Sequence, residues 1–211
     1  MAFIVPEEVE AYASAHTRGE SHLLLDLAGR TRAQMELPQM LTGRLEGRFL
    51  KLLVQLARPR LAVEVGTFSG YGSLSIAEGL VDGARLVTCE IDPAAAAMAR
   101  EAFAASPVGS RIDLRMGPAI ETIRSLEEPV GFSFIDADKV GYPEYYEALL
   151  ERTVPGGLLV LDNMLWSGRV LDPPDAETRV LAELNARIAA DERVENVLLT
   201  VRDGIQLVRK R

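Results

Sequence analysis

From Leu61 onward the chain alternates short β-branched or aliphatic runs with helix-like stretches, and this alternation restricts the fold more than any other feature. Strand-like runs at 61–65, 85–91, 111–116, 131–135 and 157–161 are separated by helical stretches at 69–79, 93–105, 119–126 and 142–152. That rhythm is the signature of βαβ units and so of a parallel sheet with helices on both faces. After the fifth run the rhythm changes. A loop with Pro173 and Pro174 leads into a helix at 175–190, and strands at 194–201 and 205–209 flank Asp203-Gly204, a strong hairpin-turn dipeptide. The expected ending is an antiparallel hairpin added to a parallel sheet. The first 60 residues read as helices, broken at Pro38, with Phe49, Leu52, Leu53 and Leu56 forming an apolar stripe expected to pack on the core.

The length of 211 residues suits one domain, a helical arm over 1–60 and an α/β core over 61–211, with no room for a separate substrate domain. The 31 acids outnumber the 23 Lys and Arg, a net charge of −8, and no basic patch gathers, which disfavours nucleic acid. No apolar run approaches a membrane span, and the start lacks the basic segment of a signal peptide, so the expected location is the cytoplasm. Cys89, the single cysteine, lies in an apolar run and reads as a core residue. His16 and His22 both precede the sheet and read as surface or packing residues. Lysine occurs only as Lys51, Lys139 and Lys210, so a lysine within a chemical motif carries extra weight.

In open α/β sheets, ligands bind beyond the carboxyl ends of the strands. The first strand ends in Glu64-Val65-Gly66-Thr67-Phe68-Ser69-Gly70-Tyr71-Gly72, the second in Glu90-Ile91-Asp92, the fourth in Asp136-Ala137-Asp138-Lys139 and the fifth in Asp162-Asn163. The glycines allow a ligand close to the backbone, and Glu90 is placed to accept from both hydroxyls of a ribose. The spacing Gly66-x-x-x-Gly70-x-Gly72 is neither the dinucleotide fingerprint nor a phosphate loop, and the turn contains no Lys or Arg. A zwitterionic adenosine ligand, S-adenosylmethionine, fits better than a pyrophosphate. Asp136, Asp162 and Asn163 offer three hard oxygen ligands for Mg²⁺, with Mn²⁺ or Ca²⁺ as alternatives. Lys139, on the same rim, is a candidate general base. Trp166, the only tryptophan, either walls an aromatic substrate site or caps the core.

Together these segments resemble the cation-dependent O-methyltransferases of the caffeoyl-CoA and catechol type, within the class I S-adenosylmethionine-dependent fold. The resemblance runs through the stretch Gln39 to Leu50, the Glu64 loop, Gly117-Pro118-Ala119, Phe134-Ile-Asp-Ala-Asp-Lys139, Asp162-Asn-Met-Leu-Trp-Ser-Gly168 and the Asp203-Gly204 hairpin. It implies that Met40, Thr42, Glu64, Gly66, Thr67, Ser69, Gly70, Gly72, Glu90, Ile91, Pro118, Ala119 and Asp136 surround S-adenosylmethionine. It further implies that Asp136, Asp162 and Asn163 hold the metal, that Lys139 and Asp136 act in catalysis, and that Asp138 and Trp166 border the acceptor. The arm would complete the acceptor pocket and a homodimer interface. Two positions depart from the family: Gly72 stands where a serine is common, which shifts its contact to backbone, Ser69 or Ser73, and Leu45 replaces a polar residue or proline.

The expected reaction is methyl transfer to a small-molecule vicinal dihydroxy-aromatic that chelates the cation through both oxygens. A nicotinamide-dependent oxidoreductase is disfavoured by the loop spacing, the lack of a Tyr-x-x-x-Lys pair and the terminal hairpin. Asp172-Pro173-Pro174-Asp175 resembles the motif of nucleic-acid amino-methyltransferases only superficially, since it follows the fifth strand and ends in an acid. A pure binding protein would have no need of the metal set and Lys139.

Overall fold

The computed structural model describes residues 5–211, and residues 1–4 of the chain's start lie outside them. Seven strands form one sheet in the order β3-β2-β1-β4-β5-β7-β6. They are β1 Leu61–Val65, β2 Arg85–Glu90, β3 Ile112–Met116, β4 Val130–Ile135, β5 Thr153–Leu161, β6 Val194–Leu199 and β7 Ile205–Lys210. The first five are parallel, and β7 pairs antiparallel with both β5 and β6. The chain order reverses between β1 and β4, which opens a crevice at their carboxyl ends.

Strand β1 is buried along its whole length, as a central parallel strand covered on both faces must be. Its side chains alternate: Leu61, Val63 and Val65 enter a core shared with Tyr146, Leu149, Leu181 and Ile188, while Ala62 packs with Leu50, Ile76, Phe132 and Phe134 on the opposite face. The first face is covered by helices α6 Ala119–Ser125, α7 Tyr142–Arg152 and α8 Ala176–Ala189, and the second by α3 Gly43–Ala57 and α4 Tyr71–Ala77. A third apolar cluster, including Leu24, Leu27, Tyr71, Met98 and Phe103, joins α2 His22–Gln34 to α5 Pro93–Ala104. Helix starts follow capping chemistry. Asp92 accepts from the Ala94 N–H with Pro93 at the first helical position, and Asp175 accepts from the Thr178 N–H.

The structure departs from the sequence expectations in several places. Helix α4 begins at Tyr71, two residues after the expected Ser69, because Gly70 at its N-cap has φ 89°. Strand β5 begins at Thr153 instead of 157: Thr153 pairs with Val130 before a register shift carries the strand past Pro155 and Gly156. Strand β6 stops at Leu199 because the turn at 201–204 intervenes. The buried stripe of α3 is Glu46, Gly47, Leu50, Leu53 and Val54, whereas Leu52 and Leu56 are 54% and 71% exposed. The run from Phe49 to Leu56 supports two helical stripes, and contact with α4 and the sheet selects the one that includes Leu50 and Val54. Helix α1 spans Glu7–Ala15, and among the described residues no helix is long and apolar enough to cross a membrane.

Candidate active site

Two adjoining cavities occupy the crevice. The first, about 900 Å³, is bordered by Met40, Thr42, Gly66, Thr67, Glu90, Ile91, Pro118, Ala119 and Asp136. The second, about 500 Å³, is bordered by Asp136, Asp138, Lys139, Asp162, Asn163 and Trp166, together with Glu177 and Arg202. Leu37, Met40, Thr42, Asp136, Ala137 and Asp138 border both, so a thin shared wall separates them.

The turn after β1 is shaped by what approaches it. Gly66 has φ 97°, its N–H and that of Thr67 donate to the Cys89 carbonyl, and a Cβ at Gly66 would lie 2.0 Å from the Asp136 carbonyl oxygen. No side chain fits there, and the close approach of the β1 and β4 ends brings Asp136 to the turn after β1. Glu90 closes the other side: it accepts from the N–H groups of Phe68 at 2.7 Å, Ile91 at 2.8 Å and Asp92 at 2.9 Å. These bonds orient its carboxylate along the cavity rim.

Glu64, Ser69, Gly70 and Gly72 stand behind the cavity wall. A Cβ at Gly72 would meet Glu64 Oε1 at 2.6 Å and Thr42 Oγ1 at 3.2 Å, so glycine leaves the space these two side chains use. Ser73 is committed to Glu64, while the buried Ser69 hydroxyl has no partner among the described residues, which makes Ser69 the freer of the two. The arm keeps a continuous helix α3 through Leu45.

Burial pushes the Glu64 carboxyl up to about 8, opposed by the hydroxyls of Ser73 and Thr88 that donate to it. Because the folded state holds this proton more tightly than the unfolded chain, stability is full below the ordinary carboxyl value near 4.5 and declines as pH rises toward about 8. Chemical denaturation of the ligand-free protein across that window is expected to show the decline. Glu64→Gln, which cannot ionise, is expected to make it shallower, leaving the part that the raised carboxyls of Asp162 and Glu46 contribute.

The second cavity gathers the polar ends of β4 and β5. Asp136 donates its N–H to the Val65 carbonyl and Asp162 donates its own to the Ile135 carbonyl, so the register of the sheet sets both acids on one rim. Asp162 is 3% exposed, and among the described residues its Oδ1 has no hydrogen-bond partner. Burial first, and then the Asp136 charge, push its carboxyl up to about 6. A buried, unpartnered carboxylate oxygen facing a second carboxylate fits a bound cation. Among the described residues no three His, Cys, Asp or Glu side chains converge for a metal; the set has two carboxylates and depends on the Asn163 amide for its third oxygen. Asn163, Trp166 and Ser167 have φ of 59°, 45° and 56°, so the loop after β5 is held in a costly left-handed backbone that projects Asn163 and Trp166.

Lys139 is 7% exposed, with Nζ 3.3 Å from Asp136 Oδ1 and 2.6 Å from Tyr142 Oη. It also lies 5.5 Å from the Trp166 ring centroid. Tyr142, missed in the sequence because it reads as a core aromatic of α7, donates toward the carbonyls of Ile135 and Asp162 and receives the lysine. Asp138 accepts from the Gly141 N–H and the Tyr145 hydroxyl, so both of its oxygens serve the turn after β4. Sequence reasoning also missed Gln34, Met35, Glu36 and Leu37, which form the arm's side of the first cavity, and Arg202 in the second. Cys89 is buried, its thiol raised to about 11 by burial, and His22 and His16 are exposed.

The topology and this paired crevice define a Rossmann-like α/β fold with its candidate site at the switch point of the sheet, and comparison with known proteins identifies the family. The O-methyltransferase family model matches residues 12–211. A probable caffeoyl-CoA O-methyltransferase of Dictyostelium discoideum is 35% identical over 207 residues, covering 94% of this chain and 90% of the relative. The structure of an O-methyltransferase from Bacillus cereus in complex with S-adenosylhomocysteine superposes with a TM-score of 0.89 at 30% identity, covering 97% of each chain. The O-methyltransferase TomG of Streptomyces achromogenes, involved in tomaymycin synthesis and in complex with S-adenosylmethionine, gives 0.87 at 28% identity, covering 96% of each chain. The chain belongs to the O-methyltransferase family. It is an S-adenosylmethionine-dependent enzyme of the caffeoyl-CoA type.

Proposed function

We propose that this enzyme methylates one hydroxyl of a vicinal dihydroxy-aromatic small molecule, with a divalent cation, most simply Mg²⁺, held by Asp136, Asp162 and Asn163. The observation that carries the reading is the shared wall: Asp136 borders both the cavity of the Glu90 ribose site and the acidic cavity that contains Lys139. Methyl donor and acceptor can therefore meet across Thr42 and Asp136. The names of relatives agree, since a caffeoyl group carries a vicinal pair of hydroxyls.

In this reading Glu90 accepts from the ribose hydroxyls, and the close-packed Gly66 turn seats the rest of the cofactor. Trp166 forms an apolar wall that stacks the acceptor ring. The cation, when bound, supplies a chelating Lewis acid that orients a diol and lowers the pKa of a phenol. Lys139, fixed by Tyr142 beside Asp136, takes the hydroxyl proton. Asp162, with its unpartnered oxygen, is the ligand whose burial most needs a cation.

Incubation with labelled S-adenosylmethionine, Mg²⁺ and matched acceptors tests the proposal. Label is expected on one hydroxyl of catechols and caffeoyl esters, and not on the corresponding monohydroxy compounds. Equal labelling of monohydroxy and dihydroxy acceptors would contradict the chelation reading.

A further inference from the structure

Arg202 occupies a position that is costly for its side chain. It lies in the turn between β6 and β7 with φ 50°, a backbone region that favours glycine. Its guanidinium leaves the hairpin and reaches the start of α3, where Nη1 donates to the Thr42 carbonyl and to Glu46 Oε2. Glu46 is fully buried, and among the described residues its other oxygen has no hydrogen-bond partner. The following residues face the opposite way. Asp203 Oδ1 accepts from the Ser167 N–H, the Asp203 carbonyl accepts from the Leu165 N–H, and the Gly204 carbonyl accepts from the Met164 N–H. One turn therefore holds the head of the arm helix with Arg202 and the Trp166 loop with its next two residues.

The two ends of this clamp reach the cavities differently. Thr42 borders both, whereas Trp166 borders only the second. A buried ion pair tolerates little change of geometry, because separating it strands a charge away from water. The left-handed backbone at Arg202 persists because contacts at both ends of the turn hold it there.

We propose that Arg202 is a positioning residue that passes occupancy of the cofactor cavity, through Thr42 and the 201–204 turn, to the Trp166 wall of the acceptor cavity. The inference rests on the reading of the second cavity as the acceptor site, but its test needs neither acceptor nor cation. Failure of catechol methylation would defeat the proposed acceptor and leave the test below unaffected.

Trp166 is the only tryptophan and so a built-in reporter. S-Adenosylhomocysteine is titrated into the full chain while calorimetry follows binding and tryptophan emission follows the wall. The wild-type protein is expected to show a saturable emission change with the calorimetric Kd. Arg202→Gly keeps the left-handed turn, which glycine adopts freely, and cuts the link. It is expected to bind the ligand and to lose most of the emission change. Glu46→Gln retains an oxygen for Arg202 and is expected to keep the response. The double variant R202G/E46Q leaves no carboxylate stranded, so it replaces R202G if that variant does not fold, and it should lose the response in the same way. A wild-type response in R202G or the double variant would overturn the proposal, as would a wild-type protein whose emission ignores bound ligand. Complete loss of binding in the double variant would also overturn it, by making Arg202 part of the cofactor site itself.

Discussion

Replacing Lys139 with methionine is expected to lower the rate of methyl transfer by about 10²- to 10⁴-fold, the range for loss of a positioned general base. Methionine is close to lysine in volume and enters a site that is already 7% exposed and flanked by the Tyr142 and Trp166 rings. Tyr142 keeps its bonds to the Ile135 and Asp162 carbonyls, so the rim retains its shape. Lys139 borders the second cavity and not the first. Calorimetry should therefore return an unchanged Kd for S-adenosylhomocysteine. A variant within tenfold of the wild-type rate, measured as initial velocity at saturating acceptor, would remove Lys139 from the proton-transfer role.

The second large effect concerns the fold and the site together. Gly66→Ala combines a left-handed backbone with a Cβ that would lie 2.0 Å from the Asp136 carbonyl oxygen and 2.9 Å from its carbon. The β1 turn or the end of β4 has to move. Overpacking and backbone strain together are expected to cost roughly 3 kcal/mol, or about 6–12 °C in Tm for a chain of this size. Gly83→Ala is the matched control. Gly83 also has positive φ, at 78°, but nothing lies within 4 Å of its added Cβ, so only the conformational cost of about 1 kcal/mol applies. Thermal denaturation of the two variants separates steric overlap from backbone preference, and equal losses would show that the approach of Asp136 to the turn is not tight.

The parts of this site that were legible in the sequence are those where a polar residue ends an apolar run. Glu90, Asp136 and Asp162 each close or follow a buried strand, and a parallel sheet carries such residues to one edge whatever the loops do. Asp203-Gly204 was readable as a turn because its dipeptide chemistry is local. The Arg202–Glu46 pair was not readable, since its partners are 156 residues apart and each looks like an ordinary surface charge. Tyr142 was hidden for a related reason: its ring belongs to the core, and it meets Lys139 from there. The face of α3 was misread because an apolar run with two overlapping stripes does not state which one meets the sheet. Gly72 shows the reverse case. Its identity is explained only by Glu64 and Thr42, which fill the space beside it.

Asp136, Asp162 and Asn163 are proposed to act jointly in a cation-dependent transfer. The direct measurement is the rate of labelled methyl transfer to a catechol by chelator-treated enzyme as Mg²⁺ is restored, made in parallel on the wild-type protein and Asp162→Ala. Wild-type activity is expected to vanish with chelator and return saturably with Mg²⁺, while Asp162→Ala stays inactive at the Mg²⁺ concentration that restores the wild type. Undiminished transfer in excess chelator, or wild-type rates in Asp162→Ala, would contradict this joint action.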